Sequence, residues 1–199
     1  AELITCTRPR FFLSMRGSVV LDVRLPTQWR GELIVDTSSG KIEADRLNVG
    51  SLVCDVSSGD ITLGDISADQ ISLDSSSGEI RISRARGPAR ADSSSGSVTI
   101  LEALGPVVAD TSSGDVFVGL PATPGLVEVH TSSGSVTLEV PEDFSAELDF
   151  STSSGDLRSD LPVTVSGSLD EDRLAGRVGH GGATIAADTS SGDILIRLR

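Results

Sequence analysis

The sequence predicts an all-β protein, a parallel β-solenoid (β-helix) of about ten coils with 18–21 residues per coil. Three observations carry that expectation. A Ser-Ser-Gly turn recurs along the chain, apolar residues alternate with polar ones on both sides of it, and the same columns line up from repeat to repeat. Alternation with a period of two places side chains on opposite faces of a strand. A lone strand–turn–strand unit cannot bury its apolar face, whereas stacking identical units at a fixed period turns each column into a continuous ladder.

The turn glycines are Gly40, Gly59, Gly78, Gly96, Gly114, Gly134, Gly155 and Gly192, spaced by 19, 19, 18, 18, 20, 21 and 37 residues. Seven residues before them stand Leu33, Leu52, Ile71, Ala89, Val107, Val127, Leu148 and Ile185, and five before stand Val35, Cys54, Leu73, Ala91, Ala109, Val129, Phe150 and Ala187. Two residues after them come Ile42, Ile61, Ile80, Val98, Val116, Val136, Leu157 and Ile194. An antiparallel meander would reverse direction at every strand and could not set a column above itself, so near-constant spacing favours parallel stacking.

The connections follow the same logic. Pro121, Pro141 and Pro162 each stand seven residues after a repeat glycine, and Pro88 and Pro106 each stand eight before one. Proline cannot donate to a ladder and belongs where a strand ends and the coil bends. Gly17-Ser18-Val19-Val20-Leu21 reads as a degenerate first repeat, with residues 1–16 as an N-terminal cap carrying Phe11, Phe12 and Leu13, and Trp29 nearby. The 37-residue gap implies one hidden turn, near Gly176 or Gly179–Gly182, and residues 166–175 read as a loop thrown out from a coil. The expectation is one domain over residues 1–199, with coils from 17 onward. Arg197 and Arg199 then read as gatekeepers at an exposed final strand.

At the turn, the glycine column is expected to need φ > 0. Asp36, Asp55, Asp74, Asp92, Asp110 and Asp188, four residues before the glycine, are expected to cap the turn by accepting backbone N–H groups. A second acidic column, Asp60, Glu79, Asp115, Asp156 and Asp193, follows the glycine. Stacked carboxylates raise the question of Ca²⁺, but calcium-binding solenoid turns use Gly-Gly-x-Gly-x-Asp, and this turn has one glycine and a run of hydroxyls. Capping is therefore the expected role, with no metal and no cofactor.

Composition narrows function. The net charge is −13 and aromatics are 3% of the chain, which disfavours nucleic acid and anionic membranes as partners and disfavours a base-stacking platform. The chain starts at Ala1, so a processed or excised piece of a longer protein is expected, and no apolar run reaches the length that spans a bilayer. Cys54 sits in an apolar column and reads as a buried free thiol; Cys6 makes no framework with it. His130 and His180 read as surface residues, and no Cys/His spacing suits zinc. No nucleophile elbow or phosphate loop is present. Arg81, Arg84, Arg86 and Arg90 cluster in one coil and read as a solvated corner. No catalytic residues are expected.

The repeats Asp110–Val116 and Asp188–Ile194, the Leu-Pro or Val-Pro strand ends and the stretch Gly181–Ile185 resemble the bacterial and archaeal β-strand-repeat domain of unknown function that carries the label adhesin. The resemblance covers residues 19–198. It implies a right-handed parallel β-solenoid in proteins of the cell envelope and brings no catalytic residues. The functional expectation is a non-enzymatic envelope module, an adhesin-like head or rigid spacer. It would bind an envelope protein or polymer through its faces, as a monomer or small oligomer anchored by a segment outside this chain. The alternatives are a scaffold stacking end to end into filaments and a polysaccharide-acting enzyme.

Overall fold

The structure is a computed structural model that describes residues 22–26, 29–165 and 172–199. Every regular element among them is a β-strand, and no helix there is long and apolar enough to cross a membrane. Six strand–turn–strand units follow one another: β1 (Glu32–Thr37) with β2 (Ile42–Asn48), β3 (Ser51–Val56) with β4 (Ile61–Ser67), β5 (Gln70–Ser75) with β6 (Ile80–Arg86), β7 (Ala89–Ser93) with β8 (Val98–Ala103), β9 (Val107–Thr111) with β10 (Val116–Gly119), and β11 (Leu126–Thr131) with β12 (Val136–Val140). A seventh joins β13 (Ala146–Thr152) to β14 (Leu157–Ser159). Then come β15 (Val163–Val165), β16 (Arg173–Val178) and an eighth unit of β17 (Ala183–Thr189) and β18 (Ile194–Leu198).

The strands before each turn form one sheet and those after it form another, so the solenoid has two walls. The first, sheet A, runs β1-β3-β5-β7-β9-β11-β17-β13-β16-β15, and the second, sheet B, runs β14-β18-β12-β10-β8-β6-β4-β2. All pairings between the units are parallel and in the register the columns predict: Leu33 stands on Leu52, Leu52 on Ile71, Ile71 on Ala89 and Ala89 on Val107. The columns at seven and five residues before the glycine, and at two and four after it, point between the walls. Leu52, Ile61, Leu63, Ile71, Leu73, Ile80, Ile82, Ile100 and Leu138 are all fully buried there. Burial of that apolar area is the main driving force, at roughly 25 cal/mol per Å².

Stack order departs from chain order in one place. The eighth unit, β17–β18, lies between the sixth and the seventh: β17 pairs in parallel with both β11 and β13, and β18 with both β12 and β14. The 37-residue gap therefore hides no coil. It holds the pair β15 and β16, antiparallel to each other, with β16 antiparallel to β13 on its outer side. β16 and β17 flank β13 from opposite sides, and the link between them, Gly179–Gly182, crosses the start of β13. Gly179, Gly181 and Gly182 have φ of 59°, 77° and 126°, a region that favours glycine.

Three expectations change accordingly. Eight parallel units replace about ten among the described residues, because the hidden coil is an antiparallel pair and the Gly17 repeat lies outside those residues, as does the cap 1–16. Of the expected loop 166–175, Arg173, Leu174 and Ala175 instead open β16, and residues 166–171 lie outside the described residues. Arg197 and Arg199 guard no open edge, because β18 is an interior strand of sheet B.

Candidate binding faces

Local chemistry at the turn decides what the faces can offer. The glycine column does not adopt positive φ; that conformation occurs at Gly87 and in the Gly179–Gly182 link instead. The column is glycine because the backbones nearly touch. A Cβ on Gly59, Gly78, Gly96, Gly114 or Gly134 would strike the carbonyl oxygen of the previous unit's glycine, far inside the roughly 3.5 Å of ordinary contact. The same collision awaits Gly192 against Gly134, and Gly155 against Gly192, following the stack and not the chain. Gly40, in the first unit among the described residues, faces the Thr37 side chain instead.

The capping role falls to the hydroxyl three residues before the glycine, not to the aspartate four before it. Gly40, Gly78, Gly96 and Gly114 donate their N–H to Thr37, Ser75, Ser93 and Thr111 at 2.9–3.2 Å. Hydroxyls of the same column also donate across to the neighbouring unit: Thr111 to Gly96 O at 3.0 Å, Thr131 to Gly114 O at 3.1 Å, Thr189 to Gly134 O at 2.9 Å and Thr152 to Gly192 O at 3.0 Å. The reason is direction. The hydroxyl column points inward and is buried from Ser75 onward, whereas the aspartates of β1, β3, β5, β7, β9 and β17 lie on the outer face, with Asp92 half-buried there. Capping carboxylates do exist one residue after the glycine. Asp60, Asp115 and Asp193 accept the backbone N–H of Glu79, Ser135 and Asp156 in the next unit at 2.9–3.0 Å.

The outer face of sheet A therefore presents a ladder of carboxylates. In stack order it reads Asp36, Asp55, Asp74, Asp92, Asp110, His130, Asp188 and Ser151. Burial pushes the Asp92 carboxyl above its ordinary range, aided by Asp110 and Asp74 and opposed by Arg90, which pairs with it at 2.7 Å. The two breaks in the ladder, His130 and Ser151, are the two register neighbours of Asp188. Ser151 donates its hydroxyl to the Asp188 carboxylate. Among the described residues no group of three or more His, Cys, Asp or Glu side chains is arranged to hold a metal ion.

Sheet B presents the opposite kind of surface, with its charges paired. Arg86 holds Asp65 at 2.7 Å, Arg84 holds Glu102 through its Nε at 2.6 Å, Arg199 reaches Glu102 at 3.3 Å and Glu139 at 3.8 Å, and Arg197 holds Glu139 at 2.9 Å. Hydrogen bonds from Arg86 and Arg84 keep the Asp65 and Glu102 carboxyls below the usual carboxylate range. Arg197 also lies 5.6 Å from the centre of the Phe117 ring. Phe117 sits between two shallow hollows. One of about 360 Å³ is bordered by Arg81, Thr99 and Thr137, and another of about 460 Å³ by Gly64, Ser83, Leu101 and the charged row. The row was not legible in sequence, because Arg197 and Glu139 are 58 residues apart and become neighbours only through the displaced unit.

Other candidate residues fall where their columns place them. Cys54 is free and buried, and burial pushes its thiol up to about 12, which makes it unreactive. His180 is exposed in the Gly179–Gly182 link, its backbone N–H donating to Ser145 Oγ at 3.3 Å. Of the arginine cluster, Arg84, Arg86 and Arg90 are ion-paired with Asp65, Glu102 and Asp92. Trp29 and Leu25 are half-buried and pack against the core at the β1–β2 end.

These features define a class: a two-walled parallel β-solenoid whose polar ladders serve the fold and whose outer faces are regular rows of side chains. Residues 6–197 match the Toastrack DUF4097 family, a domain of unknown function, and the chain belongs to it. Neither the curated proteins nor the solved structures contain a match to this chain.

Proposed function

We propose that this chain is a non-enzymatic module of the cell envelope, a rigid spacer or adhesin-like head that binds a partner protein or polymer through its outer faces. One observation carries the reading: the hydroxyls and turn carboxylates are engaged in holding backbone, while the exposed residues form straight rows at strand spacing, about 4.8 Å per unit. Such rows suit a repetitive surface better than a single small substrate. The sheet B face, with Phe117 between two hollows, is the better candidate, since sheet A presents mainly like charge. The test is co-sedimentation of the purified chain with isolated envelopes from the producing cells. Saturable retention that weakens on Phe117→Ser supports the reading. Recovery of the native protein from the cytosolic fraction alone, or release of reducing ends from an envelope polysaccharide by the purified chain, would overturn it.

A second reading, a scaffold stacking end to end, has its own support. β1 and β2 have no strand on their outer side among the described residues, and β14 is an edge strand at the other end. Unpaired edges invite another strand. Light scattering of the intact chain at neutral pH separates the two: long filaments favour the scaffold, and a monomer or small oligomer favours the module.

A further inference from the structure

The displaced unit, residues 183–199, sits in a slot whose walls are matched to it. Asp188 lies between His130 and Ser151, the two places where the aspartate ladder is interrupted, and Ser151 donates to its carboxylate. In sheet B, Arg197 meets Glu139 at 2.9 Å. Asp160 accepts the Leu198 N–H at 3.4 Å. Inside, the small Ala187 stands between Val129 and the large Phe150. Had the units stacked in chain order, His130 would lie against Ser151, and Asp188 would have Ser151 alone beside it in place of both. The slot thus recognises one kind of segment, a strand–turn–strand unit with an aspartate on one wall and an arginine on the other.

We propose that the slot between the sixth and seventh units is an acceptor site for residues 183–199 of a second copy of this chain, so that the module pairs with itself by exchanging this unit. The ladder bonds that hold the unit run between neighbouring strands, so they form equally well whether the unit arrives from the same chain or from another. What ties the unit to its own chain is the link Gly179–Gly182, with φ of 59°, 77° and 126° at its three glycines. A short link sets an effective concentration near the millimolar range, against which a second copy competes. Straining the link in its closed form lowers that barrier to exchange. The inference is independent of what the outer faces bind.

Thr137 and Leu195 are register partners on the outer face of sheet B and report the seam directly. T137C and L195C are made in separate full-length chains, mixed at high concentration and oxidised. Exchange predicts a disulfide-linked heterodimer, since the Cα separation of paired strands suits the bond. Gly182→Val in the L195C chain places a β-branched residue at φ 126° with open space around its Cβ, so it strains the link without a clash. It is expected to raise the heterodimer roughly tenfold at a given concentration. T62C replaces T137C as the control for random collision, because β4 is remote from the slot. A chain carrying both T137C and L195C should close internally as a monomer and lose exchange; failure of that closure would refute the placement of the unit. Cross-linking no higher than the T62C control, with and without Gly182→Val and with thermal unfolding showing all variants folded, would overturn the proposal.

Discussion

From β1 to β12 stack order and chain order coincide; from β13 onward they do not. Yet the contacts between units are the same in both regions. Thr111 reaches back 15 residues to Gly96 O, and Thr189 reaches back 55 residues to Gly134 O, with nearly equal lengths of 3.0 and 2.9 Å. The glycine-on-glycine approach is likewise shared by Gly114 on Gly96 and Gly192 on Gly134. The interface is indifferent to adjacency in the chain. The glycine and hydroxyl columns set register, while side-chain size and charge at a few positions select which unit lies beside which.

The largest expected effect tests that equivalence. Gly114→Ala and Gly192→Ala should each cost about 3 kcal/mol or more in chemical denaturation, because either Cβ forces two backbones apart. Alanine should be nearly as harmful as valine, since the obstacle is a carbonyl oxygen and not a dihedral angle. A tolerated Gly192→Ala beside a damaging Gly114→Ala would show the seam to be a looser contact than the sequential stack.

Hydroxyl loss comes next. Thr111→Val and Thr189→Val should each cost about 1–3 kcal/mol, since each leaves a buried glycine carbonyl without its side-chain donor. Val56 already occupies this column in its own unit, buried and without a hydroxyl. Val56→Thr should therefore stabilise the protein, and a thermal melt of all three variants checks the ranking.

Order selection is the subtler effect. Ser151→Asp would restore the aspartate that most units carry, yet it should destabilise by up to about 1 kcal/mol at neutral pH by setting two carboxylates side by side with Asp188. Melting at pH 4 should shrink the loss. Asp149→Ser, on the same strand, removes the carboxylate that Arg173 grips through two 3.0 Å bonds and makes no such pH-dependent change at Asp188.

The two walls should also differ in the sign of their pH response. Asp65 and Glu102 have lowered carboxyl pKa values, so the stability they contribute is present above the ordinary carboxylate range and lost as pH falls through their lowered values. Asp92 has a raised pKa, so its ionised form is disfavoured in the fold and that penalty is relieved as pH falls through its raised value. Denaturation of Asp92→Asn and Glu102→Gln between pH 3 and 7 should show opposite slopes relative to the parent. The Arg90–Asp92 and Arg84–Glu102 pairs are partly open to solvent, which screens them, so these are the smallest effects.

Much of the parallel stack was legible in sequence because its information is local and repeated. Column alternation identifies the strands, and the Ser-Ser-Gly spacing identifies their superposition. The aspartate role was misassigned because period-two alternation says which residues share a face but not how a turn closes; the hydroxyl one residue later is the inward one. The displaced unit was hidden by the assumption that neighbours in sequence are neighbours in space. One trace of it was visible. His130 and Ser151 interrupt the aspartate column in consecutive repeats, and a carboxylate placed between them resolves the anomaly. The charged row of sheet B depends on that displacement for Arg197 and Arg199, and for that reason no spacing rule could find it.

The displaced unit also has a consequence in time. During synthesis the first six units can add one by one as they emerge, each contact closing a loop of 15–20 residues. The seventh cannot take its final place then, because the unit that separates it from the sixth has yet to be made. The bonds that close the displaced unit against the sixth and seventh span 37–58 residues of chain, and long closures are slower than short ones. The ribosome therefore delivers a stack with an unfinished end, and the later strands β17 and β18 must wedge themselves between units already made and not merely add to the tip.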